Sequence, residues 1–477
     1  MAANNFPVCL ERFFRKKSNF ILLLIGIGIG FSQVAGQPLK NQNQFLADQV
    51  RAEMQRSWHA YAEYAWGHDE LCPISKGFHD WYSIPLFITP IDAYGTLKIM
   101  GFEKEAGRIE RYVADSLSFD RDIFVKTFEV NIRILGGLLE MYDLSHDAKI
   151  LNRAEDFARR VLPAFKSKTG IPSYYVNLKT GEAKGDTVNV AEGGSYILEM
   201  GVLSYFTNNP VYYQTAKKAE RAIYSRRSPL DLVSQTIDIQ TGQWVDSVSH
   251  IGACIDSYYE YLSKTWLLFG DPELKGMWDT SIVAIQKYIA DDKSGMLWYG
   301  TVNSQTGKKV SSKITLWDAY FPALLALSGD MTRAEKLLQS WNWLWNKNGL
   351  EPMVYDYGKD EIIEPRYYLN PEIIESTYYL HHFSNDSIYL REGEKYFQDI
   401  MKYCRTDIAF CQVENVVTKK RSDALPSFFF AETMKYFYLL FSDKGNTFFD
   451  EHIFSTEAHP FSRNDFSFAE AKMRLGF

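Results

Sequence analysis

The sequence predicts an all-α toroid: seven helical hairpins closed into an (α/α)7 barrel, with an outer ring of helices around an inner one. Three observations lead there. Fourteen helical patterns follow one another along the chain, they alternate in character, and one five-residue loop signature recurs between them.

The patterns start near residues 44, 89, 103, 125, 146, 189, 210, 252, 271, 316, 331, 371, 387 and 426. The odd-numbered ones are amphipathic and heavily charged, as in DAKILNRAEDFARRVLPAF over Asp147–Phe165 and PVYYQTAKKAERAIYSR over Pro210–Arg226. The even-numbered ones are apolar most of the way round, as in FEVNIRILGGLLEMY over Phe128–Tyr142 and AETMKYFYLLF over Ala431–Phe441. A helix apolar on all sides must be covered on all sides. The even set therefore forms the inner ring and the odd set encloses it.

The loops agree. Asn177-Leu-Lys-Thr-Gly181, Asp238-Ile-Gln-Thr-Gly242 and Asn303-Ser-Gln-Thr-Gly307 each follow an odd-numbered helix and are flanked by strand-like residues. An Asx at the start and a glycine free to adopt positive φ suit a hairpin turn with a bulge. Each unit is then two helices and a hairpin. No linker rich in Pro, Gly or Ser divides them, so residues 37–477 read as one domain.

The totals limit the function. With 46% hydrophobic and 23% charged residues among 477, the chain is globular. A net charge of -7 argues against a nucleic-acid partner, which would require a basic face. Arg12, Arg15, Lys16 and Lys17 precede a short apolar run from Phe20 to Phe31, and small residues at Val34 and Gly36 suit cleavage before Gln37. Residues 1–36 are thus expected to be an export signal, the run being too short for a bilayer span of about 20 residues. Beyond that segment no membrane association is expected. Of the cysteines that remain, only Cys404 and Cys411 are close in sequence, and none has zinc-ligand spacing.

Each even-numbered helix carries an acid near its start: Asp92, Glu129, Glu192, Asp256, Asp318, Glu372 and Glu432. A first-turn acid favours the helix dipole by about 0.3–1 kcal/mol, which accounts for any one of them. As a set they gather at one mouth of the barrel, where unneutralised carboxylates repel one another and lose hydration. Cations, water or a polyhydroxylated ligand should compensate. Two such acids can protonate a glycosidic oxygen and activate a water, about 6.5–9.5 Å apart where the reaction inverts. The high aromatic content, 15%, agrees weakly with sugar stacking.

Six motifs in order resemble glycoside hydrolase family 47, the class I α-1,2-mannosidases, including the degradation-enhancing mannosidase-like proteins. They are AWGHDEL at Ala65–Leu71, FEVNIRILGG at Phe128–Gly137, DSYYEY at Asp256–Tyr261, PEIIES at Pro371–Ser376, SFFFAET at Ser427–Thr433 and STEAHP at Ser455–Pro460. The likeness runs from about Trp66 to Pro460. It implies that Glu129 is the acid acting through a water, that Asp256 is a second catalytic acid, and that Glu372 is the base activating the attacking water. It implies sugar-contacting or supporting positions at Arg133, Glu192, Glu375, Phe428, Glu432 and Glu457. Thr456 matches the residue whose main-chain oxygen and hydroxyl hold Ca2+ at the barrel floor, a hard cation suited to oxygen donors. Residues 444–460 would then be a C-terminal plug presenting Thr456 to the interior.

The chain departs from the family pattern in places. Cys254 and Asn370 stand where arginines are usual, Gly95 replaces an aspartate, Pro426 replaces an acid, and a histidine near Leu316–Pro322 and a disulfide between two helices are missing. Losing two forked donors affects sugar selectivity more than chemistry. The resemblance implies a calcium-dependent inverting exo-α-1,2-mannosidase acting on terminal mannose of high-mannose N-glycans or mannans, free or on a glycoprotein. The alternative is a lectin-like quality-control protein of the same fold with little turnover. A glucosidase or lyase on a helical toroid fits the six motifs poorly. The expected location is periplasmic or secreted, with the endoplasmic-reticulum lumen or a membrane-anchored form as the alternative. Oligomeric state has no signal in the sequence.

Overall fold

The structure, a computed structural model, describes residues 36–477, with side chains from Gln42 onward. The expected export segment, residues 1–36, lies outside the described residues apart from Gly36. Among the described residues, no helix is long and apolar enough to cross a membrane.

Fourteen ring helices are present among them, in the expected alternation. The outer ones are α1 (Gly36–Tyr64), α3 (Glu103–Asp115), α5 (Ala148–Val161), α7 (Val211–Tyr224), α9 (Pro272–Tyr288), α11 (Met331–Asn348) and α13 (Ile388–Tyr403). The inner ones are α2 (Ile88–Ile99), α4, α6, α8 (Asp256–Phe269), α10, α12 (Glu372–Ser384) and α14. Four inner helices are composite. Thr127–Val130, Asn131–Leu135 and Gly136–Ser145 run on as α4, and Val190–Gly194 leads into Ile197–Thr207 as α6. A 3-10 turn, Leu316–Tyr320, opens α10 before Phe321–Leu327, and Phe429–Thr433 opens α14 before Met434–Phe441. Each inner helix packs on its outer partner, α1 closing the ring on α14. Inner neighbours pack around the circle, and the Tyr320 hydroxyl of α10 donates to the Asp256 carbonyl of α8 at 3.2 Å.

Most boundaries fall within three residues of expectation. Two do not. The first helix begins at Gly36 rather than 44, Pro38 falling in its first turn, where a proline's missing N–H leaves no bond unmade. The eighth begins at Asp256 rather than 252 because Cys254 sits at φ 85°, in the left-handed region, which no helix can include.

The recurring loop behaves as its residues require. Gly181, Gly242 and Gly307 lie at φ 70°, 72° and 68°. The side-chain oxygens of Asn177, Asp238 and Asn303 each accept two backbone N–H groups two and three residues on. The same turn also follows α11 and α13, at Asp356–Asp360 and Asn415–Lys419, where the sequence reading found none. There Asp360 (φ 58°) and Lys419 (φ 62°) take the left-handed position, so the glycine that marks the motif is absent.

The C-terminal segment contains structure that the sequence reading missed. Helix α15 (Gly445–Glu451) leads to an antiparallel pair, His452–Phe454 with Pro460–Ser462, and α16 (Phe468–Leu475) packs against α6 and α8. Within that pair, residues 455–459 form a tight loop: Ser455 N–H donates to the His459 carbonyl at 2.9 Å. The loop's Glu457 and His459 are buried. Cys404 and Cys411 are both buried, Cys411 N–H donating to the Cys404 carbonyl, and their thiols are free.

Candidate active site

The starts of the inner helices and the 455–459 loop enclose a cavity of about 260 Å³. Every residue to which the resemblance gives a site role lines it: Glu129, Asp256 and Glu372; Arg133, Glu192, Glu375, Phe428, Glu432 and Glu457; and Thr456. Two of the seven helix-start acids do not. Asp318 caps its own turn, accepting from the Thr315 N–H and hydroxyl. Asp92 lies beneath the cavity, accepting from Ser427 and facing His459. For these two the helix-start reading, without a ligand, is sufficient.

Two inner helices reach the cavity through an unusual turn. Asn131–Leu135 of α4 and Phe429–Thr433 of α14 are π-helical, each turn carrying one residue more than an α turn. Arg133 and Glu432 sit inside these turns. A π turn shifts the phase of the residues it carries, and such turns concentrate at functional sites. Arg133 lies 3.2 Å from Glu129, four residues back on its own helix, and it also bonds Glu457 and stands over the rings of Trp81 and Phe428. Burial alone would lower its pKa, but Glu129 and Asp92 more than offset this and raise it.

Eight carboxylates line the cavity against one guanidinium. Burial pushes Asp256 up to about 8, against a single backbone N–H from Ser257 at 2.9 Å. Burial drives Glu372 well above the carboxylate range, with Glu375 and Asp256 adding to it. Its Oε1 accepts from Asn370 at 3.2 Å, while its buried Oε2 has no hydrogen-bond partner. Glu432 is raised well above its usual value by burial, then by Glu372. Burial lifts Glu192, which also closes a capping box with Asn189, and lifts Glu375 to about 7 against the pull of Lys264. These acids are desolvated together with little to neutralise them.

The glycosyl hydrolase family 47 model matches residues 53–463. This chain belongs to that family.

As a family 47 glycoside hydrolase it resembles ER degradation-enhancing alpha-mannosidase-like protein 2 of Homo sapiens, at 35% identity over 87% of this chain and 77% of that one. It is 33% identical to mannosyl-oligosaccharide 1,2-alpha-mannosidase IB of Homo sapiens, over 89% and 71%. The solved alpha-1,2-mannosidase from Trichoderma reesei superposes with a TM-score of 0.81 at 27% identity, covering 88% of this chain and 99% of that one.

Against the family pattern, both missing arginines fall on the cavity wall. Cys254 carries a thiol that burial raises to about 12, so it stays neutral, and Asn370 contributes only its amide. The wall also includes residues the sequence reading passed over. Glu260 lines the cavity and pairs with buried Lys264, which reaches Glu375 at 3.5 Å. The signal was Asp256-Ser-Tyr-Tyr-Glu260: an acid one helical turn on from another, with a lysine four residues later.

The donor chemistry suits a hard cation. The floor offers Thr456, the surrounding heteroatoms are overwhelmingly oxygens, and Glu372 Oε2 is an unpartnered buried acceptor. Among the described residues no group of three or more His, Cys, Asp or Glu is arranged to clasp a metal alone. A cation here would rest on Thr456 and on water.

Proposed function

We propose that the protein is a calcium-dependent exo-α-1,2-mannosidase that removes terminal α-1,2-linked mannose from high-mannose N-glycans or related mannans with inversion. One observation carries this reading: ten residues chosen from the sequence, scattered from Glu129 to Glu457, line a single cavity. In this reading Glu129 delivers a proton through a water to the departing oxygen. Asp256, held protonated near neutral pH by burial, is suited to share that work. Glu372 accepts the proton of the attacking water and must ionise to do so. Thr456 would hold the calcium ion, whose charge favours ionisation of the carboxylates around it. Arg133 and Phe428 orient the sugar, with Glu192, Glu375, Glu432 and Glu457 as hydroxyl partners.

Residues 37–477 act as one domain in this proposal, and residues 444–460 serve as its plug. The substrate is a mannose-containing oligosaccharide, free or attached to protein. The name of the human degradation-enhancing relative favours the endoplasmic-reticulum lumen over the periplasm.

The test is hydrolysis of α-1,2-linked mannobiose followed by proton NMR. Release of β-mannose first, abolished by a chelator and restored by calcium, is the expected result. α-Mannose appearing first would overturn inversion. Binding without product at saturating calcium would favour the lectin-like alternative, to which the uncharged Cys254 and Asn370 positions lend some weight.

A further inference from the structure

Beneath the cavity floor lies a second buried charge cluster that the chemistry above does not use. Glu140, near the middle of α4, is fully buried and takes two cations. Its Oε2 lies 2.6 Å from His459 Nδ1, and its Oε1 lies 3.6 Å from Lys435 Nζ. Lys435 in turn donates to the Ala458 carbonyl at 2.6 Å. On the far side of the imidazole, His459 Nε2 is 3.2 Å from Asp92 Oδ1. Asp92 faces Arg133 at 3.6 Å, and Arg133 grips Glu457. Two acids, Glu140 and Asp92, and three cations, His459, Lys435 and Arg133, thus hold residues 457–459, the C-terminal side of the turn that carries Thr456 and Glu457.

Glu140 fits there for a reason visible in α2. A Cβ built on Gly95 would collide with the Glu140 carboxyl, Oε1 first and then Cδ and Oε2. The carboxylate occupies the very volume that a side chain at position 95 would fill, and position 95 is where the family pattern has an aspartate. The imidazole shows the same dependence on a missing side chain: His459 Cδ2 would be 2.7 Å from a Cβ on Gly136.

We propose that Glu140 is a positioning residue. It supplies from α4 the carboxylate that Gly95 leaves absent on α2, and through His459 it holds the 455–459 loop so that Thr456 and Glu457 face the cavity. A chain with both acids would clash, and a chain with neither would leave His459 and Lys435 as buried cations with one counter-charge, Asp92. Removing one partner of a buried charge pair is strongly destabilising to what it holds. The exchange is therefore reciprocal, and its energetics should be non-additive.

This inference rests on the mannosidase reading only for its activity readout. The experiment is a double-mutant cycle with Gly95→Asp and Glu140→Ala, followed by kcat and KM on α-1,2-linked mannobiose and by hydrogen exchange of the 455–459 amides. Glu140→Ala should lower kcat at least tenfold and speed exchange at those amides. Gly95→Asp alone should be at least as damaging. Together they should recover to within about threefold of the parent in kcat, with exchange slowed again, because one carboxylate is restored to one place. If Glu140→Ala fails to fold, Glu140→Gln keeps the shape and removes the charge, so on its own it should speed exchange at the 455–459 amides, and unchanged exchange would overturn the proposal. A double variant no better than Glu140→Ala in either readout overturns the proposal. A parent without turnover whose exchange still follows the cycle would remove the hydrolase and leave the role of Glu140 standing.

Discussion

Two sets of buried carboxylates, linked by Arg133, are treated in opposite ways in this barrel. Around the cavity, Asp256, Glu372 and Glu432 are desolvated with almost nothing to neutralise them, and all three are pushed toward the protonated form. Under the floor, Asp92 and Glu140 are more deeply buried, with no exposure at all, but are answered by His459, Lys435 and the Ser427 hydroxyl. Burial alone would lower His459, yet its contacts with Asp92 and Glu140 raise it and favour the charged imidazole between them, whereas burial lowers Lys435 despite the pull of Glu140. The difference separates groups that await a ligand from groups that hold the frame. An uncompensated buried acid costs stability in the empty protein and is tolerable where substrate, water or a cation completes it.

The sharpest way to break the comparison is Glu372→Gln. The amide has the shape of the protonated acid but cannot accept the water's proton, so turnover should fall by about 10²–10⁴-fold while binding of mannobiose and thermal stability stay close to the parent. Initial rates, isothermal titration and a melting curve read these three together. Substantial residual turnover would take the base role from Glu372. A large drop in melting temperature would mean that it belongs with the frame instead.

Lys435→Met applies the opposite test under the floor. It leaves Glu140 with one cation and frees the Ala458 carbonyl, so stability should fall by about 3–5 kcal/mol in urea titration. A loss below about 1 kcal/mol would show that the floor cluster is not the paired region described here.

The third prediction concerns pH. Asp256 has a folded value of about 8 against 3.8 for the ordinary group, so the native protein keeps a proton that the unfolded chain releases between those values. The stabilisation is complete below the unfolded value and is lost as pH rises toward 8, at up to about 1.4 kcal/mol per pH unit for the one proton. Asp318, which burial raises to about 7, adds to the same trend over a narrower window. Ligand-free protein should melt progressively lower from pH 5 to 8, and Asp256→Asn should flatten that slope. A profile rising over this range would contradict the assignment of uncompensated acids to the cavity.

The two regions were not equally legible in the sequence. The cavity set could be read because helix-start acids recur at ring spacing and six motifs frame them. The floor set could not, because its members sit on α2, α4, α14 and the last loop and meet only once the ring closes. Glu140 did leave a trace, as a lone acid inside the apolar run Gly-Gly-Leu-Leu-Glu-Met-Tyr142. The fold shows the same divide. Hairpins marked by Gly181, Gly242 and Gly307 were visible, while those turning on Asp360 and Lys419 were hidden because a side chain was accepted in the left-handed region. The π turns at Asn131–Leu135 and Phe429–Thr433 add one residue to a turn without changing which residues are apolar, so periodicity does not report them.

Asn370→Arg makes the finest test, since it adds to the cavity the kind of countercharge that the floor already has. Asn370 donates to Glu372 Oε1 at 3.2 Å, so an arginine there would bring a permanent cation beside the proposed base. A neighbouring positive charge favours the ionised carboxylate, and the Glu372 titration should move down by about one unit. In a pH profile of kcat/KM the acid limb should shift to lower pH by that amount, with KM changing only a few-fold as the guanidinium adds donors to the sugar site. An unshifted limb would mean that the group limiting the rate is not the one Asn370 touches. That would move the base role to another cavity acid while leaving the barrel and its ring of carboxylates in place.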